Sequence, residues 1–163
     1  MKEEYLTEII HKVQEDPVAL CRNSHGTRSI QKIIEVVKNP TQIELLATYL
    51  KDKVQELAED INGNHVIQKI LFTWNSTHNQ FIYDAMMNKC VEIACHKHGC
   101  CVMQKCIDGA NQQQKLALTL KIADHTQIFV RNPYGNYVVQ YVLELKMVEV
   151  NKRIGEKLLG SLL

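Results

Sequence analysis

Apolar residues in this chain fall into clusters, and the clusters repeat. Each begins with a short apolar stretch, passes through a glycine, and continues into a longer stretch with helical spacing. In the segment Gly63-Asn-His-Val-Ile-Gln-Lys-Ile-Leu71 the apolar residues are Val66, Ile67, Ile70 and Leu71, which form one stripe of an α-helix. The same layout follows Gly26, Gly99 and Gly135, and the four glycines stand 37, 36 and 36 residues apart. A fixed period of this length marks a solenoid, in which each unit buries its apolar face only against its neighbours. Strand-type alternation is scarce, so the chain is predicted to be all-α.

Each unit is predicted to hold three helices. The short first helices cover 18–21, 54–58, 91–95 and 128–130. The motif helices follow the glycines, which suit the left-handed position that ends the short helix. Longer third helices are expected over 41–50, 78–87 and 112–122, with 148–159 as the last of them. Asn39-Pro40 separates the motif helix from the third helix in the first unit, and Asn75-Ser76-Thr77 does so in the second, with Ser76 or Thr77 as N-cap. Pro133 breaks the helix before the last motif. Asn111-Gln-Gln-Gln114 reads as a polar helix start. Tyr5, Trp74, Phe81 and Tyr83 read as packing between third helices, and residues 3–13 as the end helix of a truncated preceding unit. The domain reading is one repeat domain over 1–163, with units at about 16–51, 52–88, 89–124 and 125–160 and an end helix within 1–13.

Helical geometry then sorts the polar residues. Asn64 and Gln68 are four apart and share a side away from the apolar stripe. His65 and Lys69 lie beside them. The sister units repeat this with Thr27 and Gln31 next to Arg28 and Lys32, Cys100 and Gln104 next to Cys101 and Lys105, and Asn136 and Gln140 next to Tyr137 and Tyr141. Tyr141 breaks the lysine pattern and is expected to pack beside Tyr137. Stacked units would carry Gln31, Gln68, Gln104 and Gln140 as one row and Arg28, His65, Cys101 and Tyr137 as another. A Gln amide both donates and accepts, so it can meet the Watson–Crick edge of a base. Planar or cationic neighbours can stack on base faces, worth about 1–3 kcal/mol per base. A rise of about 10 Å per repeat, from helix packing distances, suits an extended strand at one base per repeat.

Composition narrows the picture. The hydrophobic content of 45% supports a real core, and charged residues at 23% without single-sign blocks argue against disorder. A net charge of +1 means that any basic surface is a local patch. The acidic start MKEEYLTEII lacks a signal-peptide pattern, and no apolar run reaches the ~18 residues of a membrane span. A cytoplasmic protein without membrane contact is the expectation. The six cysteines Cys21, Cys90, Cys95, Cys100, Cys101 and Cys106 then read as free thiols, mostly small hydrophobes in helical patterns.

The pentads Thr27–Gln31, Asn64–Gln68, Cys100–Gln104 and Asn136–Gln140 resemble the Pumilio/PUF repeats, as do the phrases DINGNHVIQKIL, HKHGCCVMQKC and NPYGNYVVQYV. The likeness covers roughly residues 16 to 160, and the order of pentads is most similar to the third to sixth repeats of an eight-repeat domain. It implies a right-handed α-solenoid of three-helix repeats, here a partial array, that binds single-stranded RNA. In such repeats the first and fifth pentad residues meet the base edge and the second stacks. Asn with Gln reads uracil, and a small residue with Gln reads adenine, on a strand running antiparallel to the protein. Carried over, Asn136/Gln140 reads U, Cys100/Gln104 reads A, Asn64/Gln68 reads U and Thr27/Gln31 reads A, giving 5′-UAUA-3′. Arg28, His65, Cys101 and Tyr137 are the stacking residues, and Lys32, Lys69 and Lys105 are phosphate or supporting contacts. The resemblance further implies a U/A-rich element in messenger 3′-untranslated regions, post-transcriptional repression, and deadenylase or repressor proteins on the convex face.

Three departures matter. Cys101 stands where Arg or an aromatic is usual, so its rung should grip less firmly. Thr27 is less typical than Cys or Ser. No Ser–Glu pentad of the kind that reads guanine is present, and four rungs suggest about micromolar affinity or weaker. Other readings compete. A protein-binding armadillo- or HEAT-like solenoid would bury the same faces but needs no Gln in every pentad, and a non-specific nuclear relative acting in ribosome assembly is a further alternative. A zinc site among Cys90, Cys95, His96, His98, Cys100, Cys101 and Cys106 lacks the CxxC spacing. Catalysis by Cys100 or Cys101 with His98 is disfavoured because sister units carry Asn at the Cys100 place, so neither an enzyme, a cofactor nor a metal is expected. The apolar end LLGSLL suggests self-association through open solenoid ends.

Overall fold

The computed structural model describes residues 3–160. All regular elements among them are helical: α1 (Glu3–Val13), α2 (Pro17–Arg22), α3 (Gly26–Val36), α4 (Pro40–Leu50), α5 (Val54–Glu59), α6 (Gly63–Thr73), α7 (Gln80–Asn88), α8 (Cys90–Ala94), α9 (Gly99–Gly109), α10 (Gln112–Asp124), α11 (Thr126–Phe129), α12 (Gly135–Glu144) and α13 (Val148–Leu159). A 3₁₀ turn, Lys51–Lys53, leads into α5. The chain divides into two compact units, one ending at Ala85 and the other beginning at Met86. In the first, α1 packs on α4, α2 on α5 and α3 on α6. In the second, α8 packs on α11, α9 on α12 and α10 on α13. Within each unit these helices meet their counterparts one repeat further on, which is the stacking of an α-solenoid.

Apolar stripes supply the cores. In α6, Val66, Ile67 and Ile70 are fully buried, as are Val102, Met103 and Cys106 in α9. Third helices contribute Leu46, Ile82, Met86, Leu118 and Ile122. Burying one such aliphatic side chain is worth about 1.5–3 kcal/mol. Trp74 and Tyr83 are buried, whereas Tyr5 is 57% exposed and packs in no core. Trp74 belongs to the end of the motif helix rather than to a third helix, and its indole N–H donates to the Ile34 carbonyl at 3.4 Å.

Two expectations about helix ends are corrected. No described glycine has a positive φ, so none takes a left-handed cap; that conformation falls on Lys146, φ 55°, just past α12. Gly26, Gly63, Gly99 and Gly135 are instead the first residues of their helices. A Cβ at Gly63 would stand 2.9 Å from the Leu57 carbonyl oxygen, and at Gly135 3.1 Å from the Phe129 Cα. The glycine is there because the short and motif helices nearly touch. Nor is Ser76 or Thr77 the cap before α7: the Asn75 side chain accepts from the backbone N–H of both Thr77 and His78. Asn39 caps α4 with Pro40 behind it. Asn111 and Gln114 form a reciprocal capping box on α10, as the polar run suggested.

Candidate nucleic-acid interface

The chain enters each motif helix through a tight turn made by the residue three before the glycine. Asn23 Oδ1 accepts from the N–H groups of His25 and Gly26, both at 2.9 Å. Asp60 Oδ1 accepts from Asn62 at 2.9 Å and Gly63 at 2.8 Å. Asn132 Oδ1 accepts from Tyr134 and Gly135, both at 2.8 Å. In the third repeat His96 Nδ1 takes this part, accepting from the His98 N–H at 3.2 Å. The side chain imitates a backbone carbonyl and satisfies donors that a helix start leaves orphaned. The sequence carries the signal as Asn23, Asp60, His96 and Asn132, each three before its glycine, but a search centred on the pentads passes over it.

Asp60 also joins two repeats. Arg22 donates to Asp60 at 3.1 Å and to Glu56 at 3.1 Å, and Asn62 Nδ2 donates to the Arg22 carbonyl. Burial pushes the Asp60 carboxyl up, but the N–H groups of Gly63 and Asn62 and the Arg22 guanidinium outweigh it and hold the pKa below the ordinary carboxylate value.

These turns aim the pentads. The first residue of a pentad is nearly covered, with Thr27 5%, Asn64 7% and Cys100 4% exposed, and Asn136 is half-buried. In three repeats this residue holds the glutamine. Gln31 donates to Thr27 Oγ1 at 3.2 Å, Gln68 to Asn64 Oδ1 at 2.9 Å and Gln140 to Asn136 Oδ1 at 2.9 Å. Asn64 is itself fixed, its amide donating to the carbonyls of Asp60 and Ile61 at 2.8 Å, and Asn136 donates to Asn132 in the same way. Thr27 donates to the Asn62 carbonyl of the next repeat at 3.1 Å. The Gln amide is therefore set by its neighbour, with its oxygen and second N–H left over as hydrogen-bonding groups. Cys100 behaves differently: its thiol turns to the Lys97 carbonyl at 3.3 Å.

Arg28, His65, Cys101 and Tyr137 are all exposed beside their glutamines. In the first unit the packing of α3 on α6 sets two pentads side by side, and in the second α9 on α12 does the same. Cys100, Cys101 and Gln104 line one open groove with Tyr137, Gln140 and Tyr141.

The lysines are engaged rather than free. Glu35 takes Lys32 at 2.8 Å and Lys69 at 3.1 Å, and the two lysines hold its carboxyl down to about 2. Lys105 pairs with Asp108 at 3.4 Å. Tyr141 lines the same groove as Tyr137, and its hydroxyl donates to Asp108, which pushes the phenol up to about 12. Lys69 and Tyr141 thus tether their motif helices to an acid on the preceding one.

The covered thiols Cys21, Cys90, Cys100 and Cys106 are held in their protonated form. Burial first, then the neighbouring Cys101, pushes Cys100 up to about 11, and burial raises Cys21 and Cys90 to about 12 and Cys106 higher still. Among the described residues no three His, Cys, Asp or Glu are grouped to hold a metal ion, and no helix is long and apolar enough to cross a membrane. Leu159, in the apolar end segment, is 64% exposed, and residues 161–163 lie outside the described ones.

Comparison with known proteins adds the following. The family model described as Pumilio-family RNA binding repeat matches residues 18–48, 53–87, 89–123 and 129–145. Putative pumilio homolog 7, chloroplastic, of Arabidopsis thaliana is 40% identical over 148 residues, 89% of this chain and 23% of its own length. Pumilio homolog 12 of the same plant is 36% identical over 162 residues, 98% of this chain and 27% of its own length. Among solved structures, the RNA-binding domain of yeast Puf5p bound to SMX2 RNA superposes with a TM-score of 0.87 at 32% identity, covering 98% of this chain and 47% of that one. The Puf4 RNA-binding domain bound to an HO endonuclease RNA 3′ UTR recognition sequence gives 0.85 at 36% identity, covering 90% and 45%. The chain thus spans about a quarter of these curated relatives and about half of these solved chains. The neighbours' fold is the PUF α-solenoid.

Proposed function

The chain belongs to the Pumilio family of RNA-binding repeat proteins, and from that premise we propose that it binds single-stranded RNA sequence-specifically, one base per repeat. The observation that carries this reading is the paired setting of three rungs. A glutamine amide is held by the first pentad residue in three of the four motif helices, next to an exposed second residue. Preset amides lose little freedom when a base arrives, and a base sandwiched beside them leaves water. The preferred core is 5′-UAUA-3′. Asn136/Gln140 and Asn64/Gln68 take the uracils, and Cys100/Gln104 and Thr27/Gln31 take the adenines. Arg28, His65, Cys101 and Tyr137 lie on base faces. The biological setting we infer is a U/A-rich element of messenger 3′-untranslated regions in the cytoplasm, with effector proteins recruited on the face opposite the pentads.

The test is a binding titration against 5′-UAUA-3′ and the same oligomer with both uracils replaced by cytosine. Gln68→Ala and Gln140→Ala should each weaken binding by about 1–3 kcal/mol, the cost of leaving a buried polar group unpaired. Equal affinity for the two oligomers, or binding unmoved by both substitutions, sinks the reading.

A further inference from the structure

Nine residues past each repeat glycine, on the exposed side of the motif helix, stand Glu35, Phe72, Asp108 and Glu144. Three are acids. Glu35 and Asp108 tether the lysines and tyrosine described above. The fourth is an aromatic, 59% exposed. Seven residues separate Phe72 from His65, two helical turns within about 20°, so both rings emerge from one face of α6 about 10 Å apart along its axis. Gln68 and Lys69 occupy the turn between them. The buried residues Val66, Ile67, Ile70 and Leu71 all lie on the other side. Phe72 is therefore continuous with the proposed base-contacting row and has no part in the core of α6.

We propose that Phe72 is a further nucleobase-stacking contact, holding an unpaired base next to the one read by Asn64 and Gln68. The separation supports a second base rather than the same one, because one base plane cannot lie on two rings about 10 Å apart along the helix. Charge supports a nucleotide there as well. The sister helices carry a carboxylate at this place, which repels phosphate, whereas α6 carries none. An exposed aromatic without base-edge donors accepts any base face, so the contact adds affinity without adding a letter to the recognised word.

This inference rests on the RNA-binding reading above, and the experiment separates the two. Binding is measured for 5′-UAUA-3′ and for 5′-UAUUA-3′ with 5-iodouridine as the fourth nucleotide, which is then crosslinked by irradiation and mapped by mass spectrometry. The expected adduct is on Phe72. Phe72→Ala should weaken the pentamer about tenfold and leave the tetramer within about twofold, as stacking on one side chain allows. Phe72→Trp should retain pentamer binding, and Phe72→Glu, the sister-helix type, should behave as Phe72→Ala. A pentamer affinity unchanged in Phe72→Ala, an adduct elsewhere, or an equal loss for both oligomers overturns the inference while leaving the rungs intact. Binding of neither oligomer by the unaltered chain overturns both.

Discussion

A Cβ on Gly99 would run into the carbonyl oxygen of Ile93, and one on Gly26 into that of Leu20. These contacts are with backbone, which yields less readily than a side-chain tip. Gly155, inside α13, has nothing within 4 Å of such a Cβ. The two positions therefore respond oppositely. Gly99→Ala should destabilise by about 1–3 kcal/mol, the cost of overpacking, and Gly155→Ala should stabilise by about 0.5–1 kcal/mol through helix entropy. Urea denaturation of both variants checks this, and a stable Gly99→Ala would show that the short and motif helices can separate without penalty. Residue scale also decides the fate of the cysteines. Cys100 and Cys101 adjoin in sequence, yet one is covered with its thiol on the Lys97 carbonyl and the other is exposed.

At the scale of the element, each motif helix is defined by how it starts. In α6 and α12 the turn residue orients the first pentad side chain, and that side chain orients the glutamine. Asp60 is the charged version of this device, and it also holds Arg22 of the repeat before it. Its folded pKa lies below the ordinary value. The stabilisation is therefore fully present above the unfolded value of about 4 and is lost as pH falls through the folded pKa. Asp60→Asn keeps an acceptor like those at Asn23 and Asn132 but cannot titrate. Its stability should fall less than that of the unaltered chain as pH is lowered below about 4, in melts recorded across that fall. Parallel acid curves for the two proteins would contradict the assignment.

For the molecule as a whole, electrostatics is local. The net charge is +1 and the candidate phosphate lysines are paired with Glu35 and Asp108. Affinity should come from stacking and amide contacts rather than counterion release. Binding of 5′-UAUA-3′ should be about micromolar or weaker, with a log–log salt slope shallower than about −2, equivalent to three phosphates or fewer on a single strand. Anisotropy titrations at several potassium chloride concentrations measure both. A slope near about −5 would mean that the lysines leave their carboxylates for phosphate.

The period, the three-helix unit and the identity of the pentads were determined by the sequence itself. Apolar spacing at 3.6 residues and a repeated interval are properties of the linear order, and no tertiary contact is needed to read them. Helices α1 and α13 fall on the residues that the pattern predicts. Only the folded arrangement decided why glycine stands at the start of each motif helix, because a glycine chosen for φ and one chosen for close approach look alike in a sequence. The same holds for the turn residues Asn23, Asp60, His96 and Asn132, for Asn75 as the cap of its turn, and for the pairing of Lys69 with Glu35 across repeats. Each depends on a distance between groups that the chain brings together only on folding, and a preference written in residue types cannot carry a distance.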